Sequence, residues 1–145
     1  MNVRILAEAL LLSLAAPAAQ AHHSYAMFDN DKRLLLEGTI KEMQWTNPHA
    51  WMQVMVREPS GKVVEWSIEM ASPNQMFRGG WKRNSLSPGD KVLVMTSPLR
   101  DGRPGGSLVN ATLPTGEKMG RHTDPSGNPI LPNLTMAEYQ LTARR

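Results

Sequence analysis

From Arg33 onward the chain alternates apolar and polar residues with a period of two. Leu34, Leu36, Gly38 and Ile40 fall on one face, and Glu37, Thr39 and Lys41 on the other. This predicts a long first strand over residues 33–45, with Gly38 marking a bend or bulge where a long barrel strand turns a corner. A second strand is predicted over residues 50–58, with Met52, Val54 and Val56 on one face and Trp51, Gln53, Met55 and Arg57 on the other. The Pro59-Ser60-Gly61-Lys62 turn leads to a third strand with Val64, Trp66, Ile68 and Met70 inward and Glu65, Ser67 and Glu69 outward and wet. The alternation then stops. Ser72-Pro73 before a short apolar stretch, with Gly79-Gly80 after it, has the N-cap, first-turn proline and terminal glycine of a two-turn helix. A fourth strand over residues 91–96 follows the Pro88-Gly89-Asp90 turn, and a fifth over residues 107–113 follows an Arg-bearing loop at 98–106.

Three strands, a short helix and two more strands is the element order of the OB-fold, a small five-stranded Greek-key barrel. The predicted fold class is therefore mostly β: an OB-fold-like antiparallel barrel with one short helix between strands three and four. Five strands are few for the competing β-sandwich, and the lone helix favours the barrel. In an OB-fold, ligands sit on one face between the loops joining strands one to two and four to five. Here those loops are residues 45–49 and 98–106, the two most distinctive stretches of the chain. The first, Trp45-Thr46-Asn47-Pro48-His49-Ala50-Trp51, holds two of the four Trp and one of the four His residues.

Ahead of the barrel, Arg4 and the apolar run from Ile5 to Ala19, broken by Glu8, end in Ala19-Gln20-Ala21. This is the pattern of a secretory signal peptide. The run is too short for the roughly 20 residues of a membrane span, so no stable anchor is expected after cleavage. The expected organisation is a signal peptide at 1–21, the barrel domain at 22–120, and a Pro-rich tail at 121–145 in which Thr135 and Glu138 form a capping box for a short helix. The chain has no cysteine, so no disulfide staples the exported domain. The net charge of +3 is spread along the chain and reads as solubility; export to the periplasm argues against nucleic acid as a partner.

Cleavage after Ala21 makes His22 the first residue. Its α-amine, with a pKa of about 8, and its imidazole can chelate one ion. A second imidazole from His23, His49 or His122 would complete a three-nitrogen site suited to Cu(II). Cleavage one residue earlier would place His23 third, where backbone nitrogens bind the same ion. Met52 and Met55 have an M-x-x-M spacing, but residues three apart on a strand face opposite sides, so they read as core rather than as Cu(I) ligands.

Trp45 and Trp51 are candidates for stacking on a planar or sugar ligand, or for core packing. Asn47 and His49 stand at the mouth of the same face, where His49 either contacts a ligand or caps a strand end. Arg100 and Arg103, beside Gly102, Gly105 and Gly106, suit an anion or simply a solvated hairpin loop. Glu65 and Glu69, about 13 Å apart by strand rise, are too distant for paired carboxylate catalysis. No nucleophile motif, His-x-x-x-His helix or phosphate loop appears, and enzyme activity is not expected.

Several short segments together carry a resemblance. They are His22-His23-Ser24 with Met27-Phe28, Glu37-Gly38-Thr39, Trp45-Thr46-Asn47-Pro48-His49, Glu65-Trp66-Ser67, Ser72-Pro73-Asn74, Pro88-Gly89-Asp90, Pro98 to Gly102, and Gly105 to Leu108. Over roughly residues 21–120 the chain resembles an uncharacterised family of small secreted bacterial proteins known as a domain of unknown function. The resemblance implies location and domain extent but no activity. The sequence thus predicts a periplasmic binding module for an unknown small ligand, with copper the first candidate. A structural or partner-docking envelope protein is the alternative.

Overall fold

The computed structural model describes residues 26–121 of the 145-residue chain. Six strands and one helix follow in the order β1 (Leu34–Gln44), β2 (Trp51–Arg57), β3 (Val63–Glu69), α1 (Pro73–Arg78), β4 (Lys91–Pro98), β5 (Gly105–Thr112) and β6 (Lys118–Gly120). The strands lie in the order β3-β2-β1-β4-β5-β6, and a further β3–β5 pairing joins the sheet to itself. The result is a closed five-stranded barrel with β6 added alongside β5, and a single short helix between β3 and β4.

One expectation is corrected by the closure. The barrel is mixed rather than wholly antiparallel, because β3 and β5 run parallel where Ser67, Ile68 and Glu69 pair with Gly105, Gly106 and Ser107. All other strand pairs are antiparallel. A parallel closing pair follows from topology. The meander leaves β3 pointing the same way as β1; β4 runs antiparallel to β1 and β5 antiparallel to β4, so β5 points the same way as β3.

The long β1 pairs with β2 on one side and β4 on the other. Its irregularity falls between Ile40 and Glu42, not at Gly38, so Lys41 is the extra residue. Gly38 has a different task. A Cβ there would meet Val54 Cγ1 at 2.5 Å and the Met55 carbonyl oxygen at 2.7 Å, so the missing side chain lets β1 lie close against β2.

The period-two faces read from the sequence form the core. Leu36, Ile40, Met52, Val54, Val56, Ile68, Met70, Val92, Val94 and Leu108 are buried together, with Trp45 and Trp66 packed against them. Met52 is fully buried, in keeping with a packing role. The helix α1 starts as its sequence dictates. Ser72 Oγ accepts from the Gln75 amide while the Gln75 side chain reaches back to the Ser72 amide, a reciprocal capping box with Pro73 at the first position. Its Met76 is buried and belongs to the core cluster. Beyond the helix, Trp81 is 2% exposed and its indole N–H donates to the Gly120 carbonyl at 3.0 Å. This bond ties the helix exit to β6.

Two substitutions check this account by chemical denaturation. Gly38→Ala is expected to destabilise the protein by about 1–3 kcal/mol, because the methyl group has a backbone oxygen rather than a flexible side chain to displace. Trp81→Phe, which keeps most of the ring but strands the buried Gly120 carbonyl, is expected to cost about 1–3 kcal/mol. An unchanged midpoint for either variant would refute the corresponding contact.

Candidate functional site

The loop between β1 and β2 is held to the far end of β3. The Ala50 amide donates to Ala71 O at 3.0 Å, and the Met70 amide donates to Ala50 O at 2.9 Å. Within the loop the Thr46 hydroxyl donates to His49 O at 2.9 Å, and the Asn47–Pro48 peptide is cis. These bonds seat His49 over the end of β3. Its Nδ1 lies 3.2 Å from the Met70 carbonyl oxygen and 3.6 Å from Glu69 Oε1. A carbonyl oxygen only accepts, so Nδ1 carries the hydrogen and neutral His49 keeps its lone pair on Nε2. The ring is 27% exposed at its side chain.

Glu69 corrects a second expectation. It faces outward from β3, opposite the core residue Ile68, yet it is 3% exposed rather than wet. It belongs to a row of buried polar side chains that crosses the outside of the barrel. Glu69 on β3 pairs in register with Ser107 on β5, which pairs with Ser97 on β4, and all three are buried. Two arginines lie over the row: Arg33 donates to Ser97 Oγ at 2.9 Å, and Arg121 donates to Ser107 Oγ. Both ends of the described chain therefore arrive near this row.

The N-terminal end is fixed to the loop between β4 and β5. Phe28 forms a bridge with Leu99, the Asp29 amide donates to Pro98 O at 2.8 Å, and the Arg100 amide donates to Met27 O at 2.9 Å. The Arg100 side chain donates to Ala26 O at 3.2 Å and stands 3.9 Å from Asp29. At Asp29, partial burial acts to raise the carboxyl pKa, but the Lys32 ammonium, the Asp31 amide and the Arg100 charge outweigh it and leave the group below its ordinary value. At the loop tip the amide and then the guanidinium of Arg103 hold the Asp101 carboxyl below its ordinary value, the ion pair measuring 2.8 Å.

Between this anchored segment and the β2–β3 face lies a cleft of about 390 Å³. Met27, Phe28, Trp51, Leu99 and Pro104 form its walls, Arg103 stands among them, and Ser67 and Gly105–Gly106 complete the lining. A larger groove of about 530 Å³ runs along the outside of β1, β2 and β4 near Glu37, Met55, Arg57 and Lys91. Its cations are already engaged: Arg57 donates to Gly61 O and Lys91 to Thr39 Oγ1.

The residues predicted from sequence thus separate into groups. Trp51 and Arg103 share the cleft, and His49 and Trp51 flank the end of β3 through Glu69, the register partner of Trp51. Arg100 serves to hold the N-terminal segment. Asn47 is exposed on its loop. Trp45 turns away from the cleft, packing against the core and stacking on Phe77 of α1 with ring centroids 5.0 Å apart. His22, His23 and His122 lie outside the described residues. Among the described residues no three His, Cys, Asp or Glu side chains gather as a metal cluster. Nothing in the sequence signalled the burial of Glu69, and the cleft walls Met27 and Phe28 stood out only as part of the resemblance.

No curated protein matches the chain. Among solved structures, the crystal structure of TiaS in complex with an isoleucine tRNA and ATP is similar over 59% of this chain and 19% of that one, at 19% identity and a TM-score of 0.42. The chain thus spans about a fifth of the length of that protein, and the likeness is too low to bear on function. The match to a family is broader, beginning inside the apolar N-terminal run and ending within β5. Across residues 9–110 the chain matches DUF6152, a family of unknown function, and it belongs to that family.

Proposed function

We propose that this protein is an exported, periplasmic binding module that holds Cu(II) at His49 together with the imidazole and α-amine of a mature N-terminal His22. The observation that carries the reading is the committed Nδ1 of His49. A metal-binding histidine characteristically donates its second ring nitrogen to a carbonyl or carboxylate, which fixes the tautomer and orients the ring. His49 has a partner of the first kind, Met70 O at 3.2 Å, and the buried Glu69 carboxylate stands close by at 3.6 Å. That leaves Nε2 as the ligand atom.

Chain connectivity supports the remaining nitrogens. His22 stands four positions before Ala26, a span of about 13 Å when extended, and Ala26 is tied to Arg100 beside the cleft that Trp51 lines. His122 directly follows Arg121, whose guanidinium sits on Ser107, the register partner of Glu69. Imidazole and amine nitrogens in a tetragonal arrangement favour Cu(II) over harder divalent ions. The adjoining cleft, walled by Trp51, Phe28, Leu99 and Pro104, offers the same module a place for a small organic ligand with an apolar body.

The test is Cu(II) titration followed by EPR on protein beginning at His22. Parallel samples carry two extra residues ahead of His22, or His49→Ala. Either change is expected to weaken binding at least tenfold and to alter the copper hyperfine pattern. Affinity and spectrum that ignore His49 would reduce the site to the chelation any N-terminal histidine provides. Glu69→Gln, which keeps the shape but removes the carboxylate behind His49, is expected to lower copper affinity by about 10–100-fold. A stably folded Glu69→Gln protein with unchanged affinity would remove Glu69 from the site.

A further inference from the structure

On the other side of the first loop, three elements build a surface that the copper reading does not use. Trp45 and Phe77 stack at 5.0 Å with an interplanar angle of 14°. The Arg83 guanidinium lies 5.9 Å from the Trp45 ring and 5.7 Å from the Phe77 ring. The three separations are nearly equal, so Arg83 straddles the seam between the rings rather than covering the outer face of either. Phe77 accordingly remains 40% exposed, although it has the chemistry of a core residue.

Charge along the segment that carries Phe77 and Arg83 is one-sided, while Lys82 also shares a surface groove with Glu117. Between Glu69 and Asp90 the chain carries three cations, Arg78, Lys82 and Arg83, and no carboxylate. All three are exposed, and none forms an ion pair among the described residues. An exposed apolar ring, a half-buried Trp and unpaired cations on one short segment make an interfacial surface. The ring enters the boundary between headgroup and acyl chain while the cations meet negative charge.

We infer that the Trp45–Phe77–Arg83 surface, with Arg78 and Lys82, docks peripherally on an anionic phospholipid bilayer. Charge complementarity selects a polyanion, and the apolar tip selects one with a hydrocarbon interior. The attachment is reversible: one ring and three cations give far less affinity than a spanning segment.

The experiment is co-sedimentation of metal-free protein beginning at His22, so that the apolar run ahead of it contributes nothing, with vesicles of phosphatidylcholine alone or mixed with phosphatidylglycerol. Binding is expected only to the anionic vesicles and is expected to weaken as salt is raised. R78Q/K82Q/R83Q should weaken it on the order of a hundredfold, each cation near the surface being worth roughly fivefold. F77A should weaken it several-fold while preserving the circular dichroism spectrum. Failure of the unaltered protein to bind anionic vesicles would overturn the inference. So would equal binding to phosphatidylcholine, or binding unchanged in the folded triple variant. Because copper is absent throughout, the result is independent of the metal site.

Discussion

Everything else in this structure depends on one seam, the parallel pairing of β3 with β5. Without it the sheet would be an open ribbon with β3 at its edge. Two glycines make the seam possible. A Cβ on Gly105 would meet Leu99 Cδ1 at 2.8 Å and the Ser67 carbonyl oxygen at 3.2 Å; one on Gly106 would collide with Thr96 Oγ1 and Ser97 O. The bare backbone at 105–106 lets β5 lie against β3 and β4 at once. The same closeness forms one wall of the cleft beside Trp51 and brings Ser107 into register with Glu69.

A second consequence of closure is electrostatic. The outside of a small barrel is ordinarily where strand side chains meet water, but Glu69, Ser107 and Ser97 are withdrawn from it. Burial of a carboxylate is costly unless it is partnered, and His49 stands beside it on the neighbouring loop. Arg33 and Arg121, coming from opposite ends of the described chain, bond to the two serines. The polar row thus works as a clasp that fixes where the chain enters and leaves the barrel, and His49 is placed by the same clasp.

Much of the barrel was legible in the sequence because it depends on period and on turn chemistry. Alternation placed Leu36, Ile40, Val54 and Ile68 inward, and the Ser72-Pro73 start announced α1. The direction of the closing pair was not legible, since it depends on which strands meet after the chain has wrapped around. Burial of Glu69 was hidden for a related reason. Its place in the alternation says outward, and only lateral neighbours from β5 and the first loop cover it. Of the candidate site, His49, Trp51 and Arg103 were visible as residue types on loops that this fold uses. The divergence of Trp45 toward Phe77 was not visible, because two strands separate the first loop from α1 and nothing local relates the two rings.

The parallel seam also bears on how the chain reaches this state. β1, β2 and β3 are neighbours in sequence and can form a meander by local contacts, whereas β5 reaches β3 only after a separation of about forty residues, and contacts of long range are slow to form. During that interval β3 is an unpaired, valine-rich edge, open to other chains as much as to β5. The exposed Glu65, held by Lys41 at 2.6 Å from across the sheet, puts charge on that strand while it waits. In the finished barrel the ion pair is a minor surface contact; the charge on Glu65 itself is of the kind by which exposed strand edges deter added strands.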